Sequence, residues 1–273
     1  MAGSSVNTNI NALAAIQSLS DINRGLTQTQ GRIQSGLKVG QASDDPAVFT
    51  VAQGLRANVS GLSAVGSSLA NGIATVQGQT AGATAISKTL IELVKTVTQS
   101  SGQSGAALAA SQTTITKALA NIDEFAAATT INGVNLLNTA GTLSVLSNQS
   151  GAATAITTAN ASTTAGLTLG ALVTTADGSA TGTASAIALV NSAIANVGAT
   201  LTALGAGTVQ LQGLADFTDK LNASVQTSLG AIVDANLSEE SARLSSLQTK
   251  QSLSIQSLSI ANQAPGALLQ LFR

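Results

Sequence analysis

"VFTVAQGLRANVSGLSAVGSSLANGIATVQGQTAGATAISKTLIELVKTV", residues 48–97, carries the pattern on which the reading of this chain turns. Val48, Leu55, Leu62, Leu69, Val76, Ala83, Leu90 and Val97 recur every seven residues without a break. Val51, Val59, Val65, Ile73, Ile86 and Leu93 fill most of the offset positions. An apolar repeat of seven with a second position three or four residues on is one face of an α-helix, and over this length it signals coiled-coil-like packing. The stretch predicts one helix of about 50 residues, roughly 75 Å long at 1.5 Å per residue. Gly54, Gly61, Gly66, Gly72, Gly78 and Gly82 lie inside it, and each costs about 1 kcal/mol relative to alanine. Such a helix cannot stand alone; neighbours must hold it. Its start is marked by "ASDDPAVF" (42–49), where Asp45 suits the N-cap and Pro46 the first helical position.

Upstream, residues 10–35 read as a helix. Ala12, Leu19, Leu26 and Ile33 repeat every seven, Ala15 and Ile22 follow at an offset of three, and Gly36 and Gly40 supply stops. Downstream, "SSGQSG" (100–105) precedes a helix over 106–128, with Leu108, Ile115 and Ile122 one heptad apart. "TTINGVNLL" (129–137) then holds the pair Asn132-Gly133, the strongest short signal for a tight hairpin turn. Residues 139–183 are rich in Thr, Ala, Ser and Gly, with strand candidates at "TLSVLS" (142–147) and "GLTLGALVT" (166–174). They read as a small insertion, β-rich or flexible.

Helical spacing returns with Ile187, Val190, Ile194, Val197, Leu201, Leu204 and Leu211. Near Gly205 and Gly207 the stripe drifts onto Leu214, Phe217 and Leu221, then resumes with Val225, Leu229 and Ile232. Residues 236–263 form a last helix with Leu237, Leu244, Leu247, Ile255 and Leu258, and Glu239 and Glu240 spaced to reach Arg243 as a solvated pair. The order is symmetric about its middle, which predicts a mainly α fold: two halves packed as antiparallel helices in a rod, with both chain ends at one tip.

Composition narrows the function. There is no Cys and no His, which removes disulfides, thiol catalysis and imidazole chemistry. Aromatic residues make up 1% and charged residues 8%, with a net charge of −1, so neither a nucleic-acid groove nor a basic membrane patch is indicated. No run of about 18 apolar residues occurs, which argues against a transmembrane helix. No basic residue precedes Arg24, unlike a Sec-type signal. "GRIQSGLK" (31–38) approaches a phosphate-binding loop, but its Lys falls one place late and no strand precedes it. Asp44-Asp45 suits a helix cap better than a cation site, which needs six or more oxygens. No active site, cofactor or metal is expected.

One feature resists a core explanation. Residues 253–272 carry Leu253, Ile255, Leu258, Ile260, Leu268, Leu269, Leu271 and Phe272 on several helical faces. A two-helix pair has one seam and cannot cover them all, so the surplus must meet other molecules. Four motifs then bring in a family. Asn7-Thr8-Asn9, "RIQSGLKVGQASDDPAVFTVAQGLR" (32–56), "INGVNLL" (131–137) and the closing "LSIANQAPGALLQLFR" (258–273) occur in the order seen in bacterial flagellins. Over residues 1–138 and 185–273 the chain resembles that family, in the short form of alphaproteobacteria.

The resemblance implies a filament subunit with residues 1–40 and 233–273 in an inner coiled-coil domain. Residues 41–138 and 185–232 would form an outer tube, and 139–184 a short variable surface region. Inter-subunit packing would fall to Leu19, Leu26, Ile33, Leu244, Leu247, Ile255, Leu258, Leu268, Leu269, Leu271 and Phe272. Outer-tube packing would fall to Val48, Leu55, Leu62, Leu69, Val76, Leu90, Val97, Ile194 and Leu201. The implied partners are other copies, an export chaperone on the C-terminal helix, and cap and hook-junction proteins, with type III export and no membrane insertion. In "LIELVKTVTQ" (90–99), Glu92 and Val94 stand where many flagellins have Arg in their innate-receptor epitope; weak activation of the vertebrate receptor in reporter cells is the expected result. A hook–filament junction protein is the nearest alternative. A membrane-surface amphipathic protein is a remoter one, because residues 236–272 hold only Arg243 and Lys250 as cations.

Overall fold

The computed structural model describes residues 9–138, 141–162 and 166–270, except for the side chains of 264–270. The elements are α1 (Ile10–Ser35), α2 (Pro46–Gln99), α3 (Gly105–Ala128), β1 (Gly141–Leu146), β2 (Ala153–Thr158), α4 (Leu172–Thr175), α5 (Ala180–Val233) and α6 (Leu237–Gln270). They fall into two compact units. One runs Asn58–Ala223; the other joins the described residues up to Ala57 with those from Ser224 onward.

In the Asn58–Ala223 unit, the buried face of α2 keeps strict alternating steps of three and four. Leu62, Leu69, Val76, Ala83, Leu90 and Val97 are buried, and so are the offset residues Val65, Gly72, Gln79, Ile86, Leu93 and Ser100. α5 answers with the same spacing in antiparallel sense: Gly72 lies against Leu211, and Val190, Val197, Leu204 and Leu211 are fully buried. Ile194 and Leu201 flank that seam half-buried. Part of α5 has the length and apolar composition of a membrane span; Val190, Val197, Leu204 and Leu211 of this helix are buried in the core.

The stripe in α5 does not drift as the apolar residues suggest. Gly207, Leu211, Leu214 and Thr218 hold the inward positions, while Phe217 and Leu221 remain exposed (62% and 40%). Phe217 lies one residue, about 100° of helix, from Thr218, so following the large side chains leads off the buried face. Val51 is likewise 59% exposed, although it fits the offset spacing.

The insertion packs on the helices. β1 and β2 pair antiparallel from Gly141↔Thr158 to Leu146↔Ala153, with Leu143, Val145 and Ile156 buried in the same core as α2, α3 and α5. "TLSVLS" supplies a strand as expected; "GLTLGALVT" does not. Thr168 has a positive φ of 54°, and the chain turns at Gly170 into the single turn α4, with Leu167, Leu169 and Leu172 fully buried. The second strand is "ATAITT" (153–158), where only Ile156 reaches the core and the Ala/Thr composition hides the alternation.

Four of the six glycines of α2, Gly61, Gly72, Gly78 and Gly82, mark where other chain segments lie close to it. A Cβ at Gly72 would sit 2.6 and 2.9 Å from the methyls of Val145, and one at Gly61 would meet Gln149 at 3.1 Å. Gly78 faces Ile131, Gly82 faces Thr129, and Gly207 of α5 faces Ile156 at 2.8 Å. Asn132 (φ 51°) and Gly133 (φ 77°) form a turn of the I′ kind, closed by Ile131↔Val134 with both N–H···O bonds at 2.9 Å. The ladder ends after that one pair, because Asn135 donates to the Ala126 carbonyl (2.7 Å) and accepts from the Leu137 amide (2.8 Å).

Gln79 anchors this segment. It is fully buried, donates to the Thr129 and Val134 carbonyls (2.5 and 3.2 Å) and accepts from the Leu136 amide (3.3 Å). Gln79→Leu leaves the Thr129 carbonyl and the Leu136 amide short of a partner, while the Val134 carbonyl keeps the Ile131 amide, and is expected to destabilise the chain by about 2 kcal/mol. Urea denaturation of the unassembled protein measures the loss.

Candidate functional site

No convergent set of nucleophile, base and acid occurs among the described residues. The surface with unusual properties is the pair α1–α6. Asn9 caps α1, accepting from the Ala12 amide at 3.1 Å, and its Nδ2 donates to the Ala261 carbonyl at 2.7 Å. Gln251 donates to Asn23 Oδ1 at 2.8 Å, Gly25 lies against Leu247, and Arg32 reaches Glu240 at 3.1 Å. These four ties make the pair antiparallel in a single register.

Both helices show a seam of heptad spacing. On α1 its residues are Ala12, Ala15, Leu19, Ile22, Leu26, Thr29 and Ile33; on α6 they are Glu240, Leu244, Leu247, Gln251, Ser254, Leu258 and Ala261. The register sets Leu26 by Leu247 and Thr29 by Leu244 at the root, where Leu26 is 8% exposed. Towards the tip the seam thins, and Ala12, Ala15 and Leu19 meet Ser254, Leu258 and Ala261. Large apolar side chains are present at the tip but point elsewhere. Ile10, Leu13 and Ile16 on α1, and Leu253, Ile255 and Ile260 on α6, are each more than half exposed. By the register Leu13 and Ile260 share a level, and the others spread from Ile10 down to Leu253, level with Ser20, as an exposed collar.

Ile255 lies outside the seam, whose polar positions Gln251 and Ser254 no apolar count detects. One expectation needs correction here. Glu240 is not a solvated partner of Arg243: it is 6% exposed and pairs first with Arg32, while Arg243 stands at 3.7 Å. The signal for that pair was hidden because its two halves lie at opposite ends of the sequence.

The root is tied through the backbone as well. Lys38 N–H donates to the Val233 carbonyl (2.7 Å), Ala235 N–H donates to the Gly36 carbonyl (2.8 Å), and Leu37 bridges Asp234. Asp44 accepts from the amides of Gly40 and Gln41, and Asp45 from those of Ala47 and Val48, all at 3.0 Å. Both carboxylates thus serve the loop and the start of α2. Val48 and Leu55 are half-buried beyond it. An open groove of about 1000 Å³ runs along α1 and this loop, lined among others by Ile16, Leu19, Arg24, Arg32 and Asp44. The side chains of Leu268 and Leu269, and the whole of Leu271 and Phe272, lie outside the described residues.

Comparison with known proteins decides the family. The profile of the bacterial flagellin N-terminal helical region matches residues 6–142, and that of the C-terminal helical region matches residues 187–272. The chain belongs to the bacterial flagellin family. It is 36% identical to flagellin FljM of Caulobacter vibrioides over 283 residues, covering all of both chains. It is 34% identical to flagellin FljK of the same organism over 276 residues, again complete on both sides. A flagellin of Brucella melitensis is 32% identical over 279 residues, spanning 98% of this chain and 99% of its own. Family membership makes the chain a structural subunit of the extracellular flagellar filament, a polymer of flagellin copies that drives swimming. The hook-junction alternative gains no comparable support.

Proposed function

We propose that this flagellin polymerises through the α1–α6 pair, whose tip orders fully only when neighbouring copies cover its collar. The observation that carries the reading is the mismatch at the tip: two leucines, Leu19 and Leu258, among alanine and serine inside the seam, and six large apolar side chains outside it. Full burial of such a side chain is worth about 1.5–3 kcal/mol, so covering the exposed part of all six supplies several kcal/mol per subunit. Contacts of this heterologous kind do not close on themselves and extend as a helical polymer. On this reading residues 1–40 and 233–273 form the inner layer, with Leu268, Leu269, Leu271 and Phe272 extending the packing surface. Residues 41–138 and 185–232 form the outer layer, and 139–184 the exposed insertion. Before assembly an export chaperone shields α6; the chain leaves through the flagellar type III apparatus and adds beneath the cap, above the junction proteins.

Electron microscopy of purified chain added to short filament seeds tests the proposal. Full-length protein is expected to elongate seeds, and a version ending at residue 253 to leave them unchanged. Normal growth by the shortened version would overturn it.

A further inference from the structure

We infer that Asn132 is a site of spontaneous covalent modification, converted to aspartate and isoaspartate with water as the only co-reactant. The Gly133 backbone nitrogen bonds to Asn132 Cγ, its proton leaves with the side-chain amide as ammonia, and a five-membered imide remains. Water then opens either carbonyl of the imide. The chain holds two Asn-Gly pairs, 71–72 and 132–133, and the structure separates them. Asn71 and Gly72 lie inside α2, where the Gly72 N–H belongs to the helical ladder and Gly72 packs against Val145. Asn132 and Gly133 are both exposed. Among the described residues, nothing bonds to the Asn132 side chain, the Asn132 carbonyl or the Gly133 N–H. Other loop asparagines are tied down: the Oδ1 atoms of Asn135, Asn148 and Asn160 each accept backbone amides.

The turn supplies the approach. Asn132 and Gly133 have φ of 51° and 77°, and the peptide plane between them is free to rotate. Its rotation turns I′ into II′ with Ile131 and Val134 still paired, and brings ψ of Asn132 to about −120°. The Gly133 nitrogen then eclipses Asn132 Cβ, the arrangement that a five-membered ring requires. Glycine accepts the reversed φ at 133. The first position of a II′ turn favours glycine over asparagine, so the visit is brief and the reaction slow. The helical backbone at Asn71 has no such alternative. The two products act differently. Aspartate keeps the path of the chain and adds a negative charge to a stretch, 126–214, whose sole charged residue is Asp177. Isoaspartate routes the main chain through Cβ and lengthens a two-residue turn by one atom. The two closing bonds of 2.9 Å cannot then both survive, and the seat of Ile131 against Gly78 loosens. Conversion runs one way, so its extent grows with the age of the chain.

Peptide mapping by mass spectrometry on the full-length chain, aged at neutral pH, tests this. One sample is kept folded and one is held unfolded in urea. In the folded chain Asn132 is expected to convert at least about tenfold faster than Asn71, since a loop tip opens far more readily than a packed helix. In urea the two pairs are expected to convert at similar rates, which assigns the difference to the fold and not to neighbouring residues. Isoelectric focusing of the folded sample shows a more acidic species growing in step, and Asn132→Gly abolishes it. Equal rates at the two pairs in the folded chain, or an Asn132 that stays intact there while the unfolded sample converts, would overturn the inference.

Discussion

Replacing Leu253, Ile255 and Ile260 together by serine stops filament growth and leaves the unassembled chain folded: that is the expected result. None of the three contributes to the α1–α6 seam, and their exposures are 56%, 53% and 70%. Their removal therefore takes nothing from the core of the Asn58–Ala223 unit and little from the root of the pair. Each loses about 1–2 kcal/mol of burial in the assembled state. Three such losses at about 1.4 kcal/mol per factor of ten raise the critical concentration for elongation about a thousandfold. Sedimentation of seeded mixtures across a concentration series measures it, with circular dichroism melting as the check on folding. An unchanged critical concentration would mean that the collar stays in water within the filament.

Two glycines in one helix should respond to alanine with opposite signs. At Gly205 an added methyl meets nothing within 4 Å, and the position is exposed. Gly205→Ala is expected to stabilise the chain by up to about 1 kcal/mol through helix propensity alone. At Gly207 the same methyl would lie 2.8, 3.1 and 3.1 Å from three carbons of Ile156. Ile156 is β-branched, 4% exposed and held in the ladder opposite Leu143, so it cannot swing aside without disturbing the sheet. Overpacking of this kind costs about 1–3 kcal/mol, which exceeds the propensity gain and makes Gly207→Ala destabilising. Urea melts of the two variants decide. A shift of the same sign in both would show that Gly207 is not a contact between α5 and the sheet.

The heptads of residues 48–97 made α2 legible because its large residues and its buried positions coincide. The same rule failed where small or polar residues hold the inward place. Thr218 displaced Phe217 from the expected stripe, Gln251 and Ser254 occupy seam positions that an apolar count skips, and only one residue of β2 announces its strand. Periodicity counts apolar side chains, whereas packing needs shapes; glycine, serine and threonine fit close approaches that hydrophobicity does not register. The surplus of apolar groups near the C-terminus was visible in the sequence. Its arrangement as a collar shared with α1 was not, because the register depends on Arg32–Glu240 and Asn23–Gln251, partners that lie more than two hundred positions apart.

The single register of α1 and α6 makes two distant stretches of the gene one heritable character. A chimera that takes its first helix from one flagellin and its last from another loses the fit wherever the parents differ at facing side chains, as at Asn23–Gln251 and Arg32–Glu240. Exchange of both together preserves the fit. Two crossovers within the interval between the helices exchange only the middle and leave matched ends matched, whereas a single crossover there separates them.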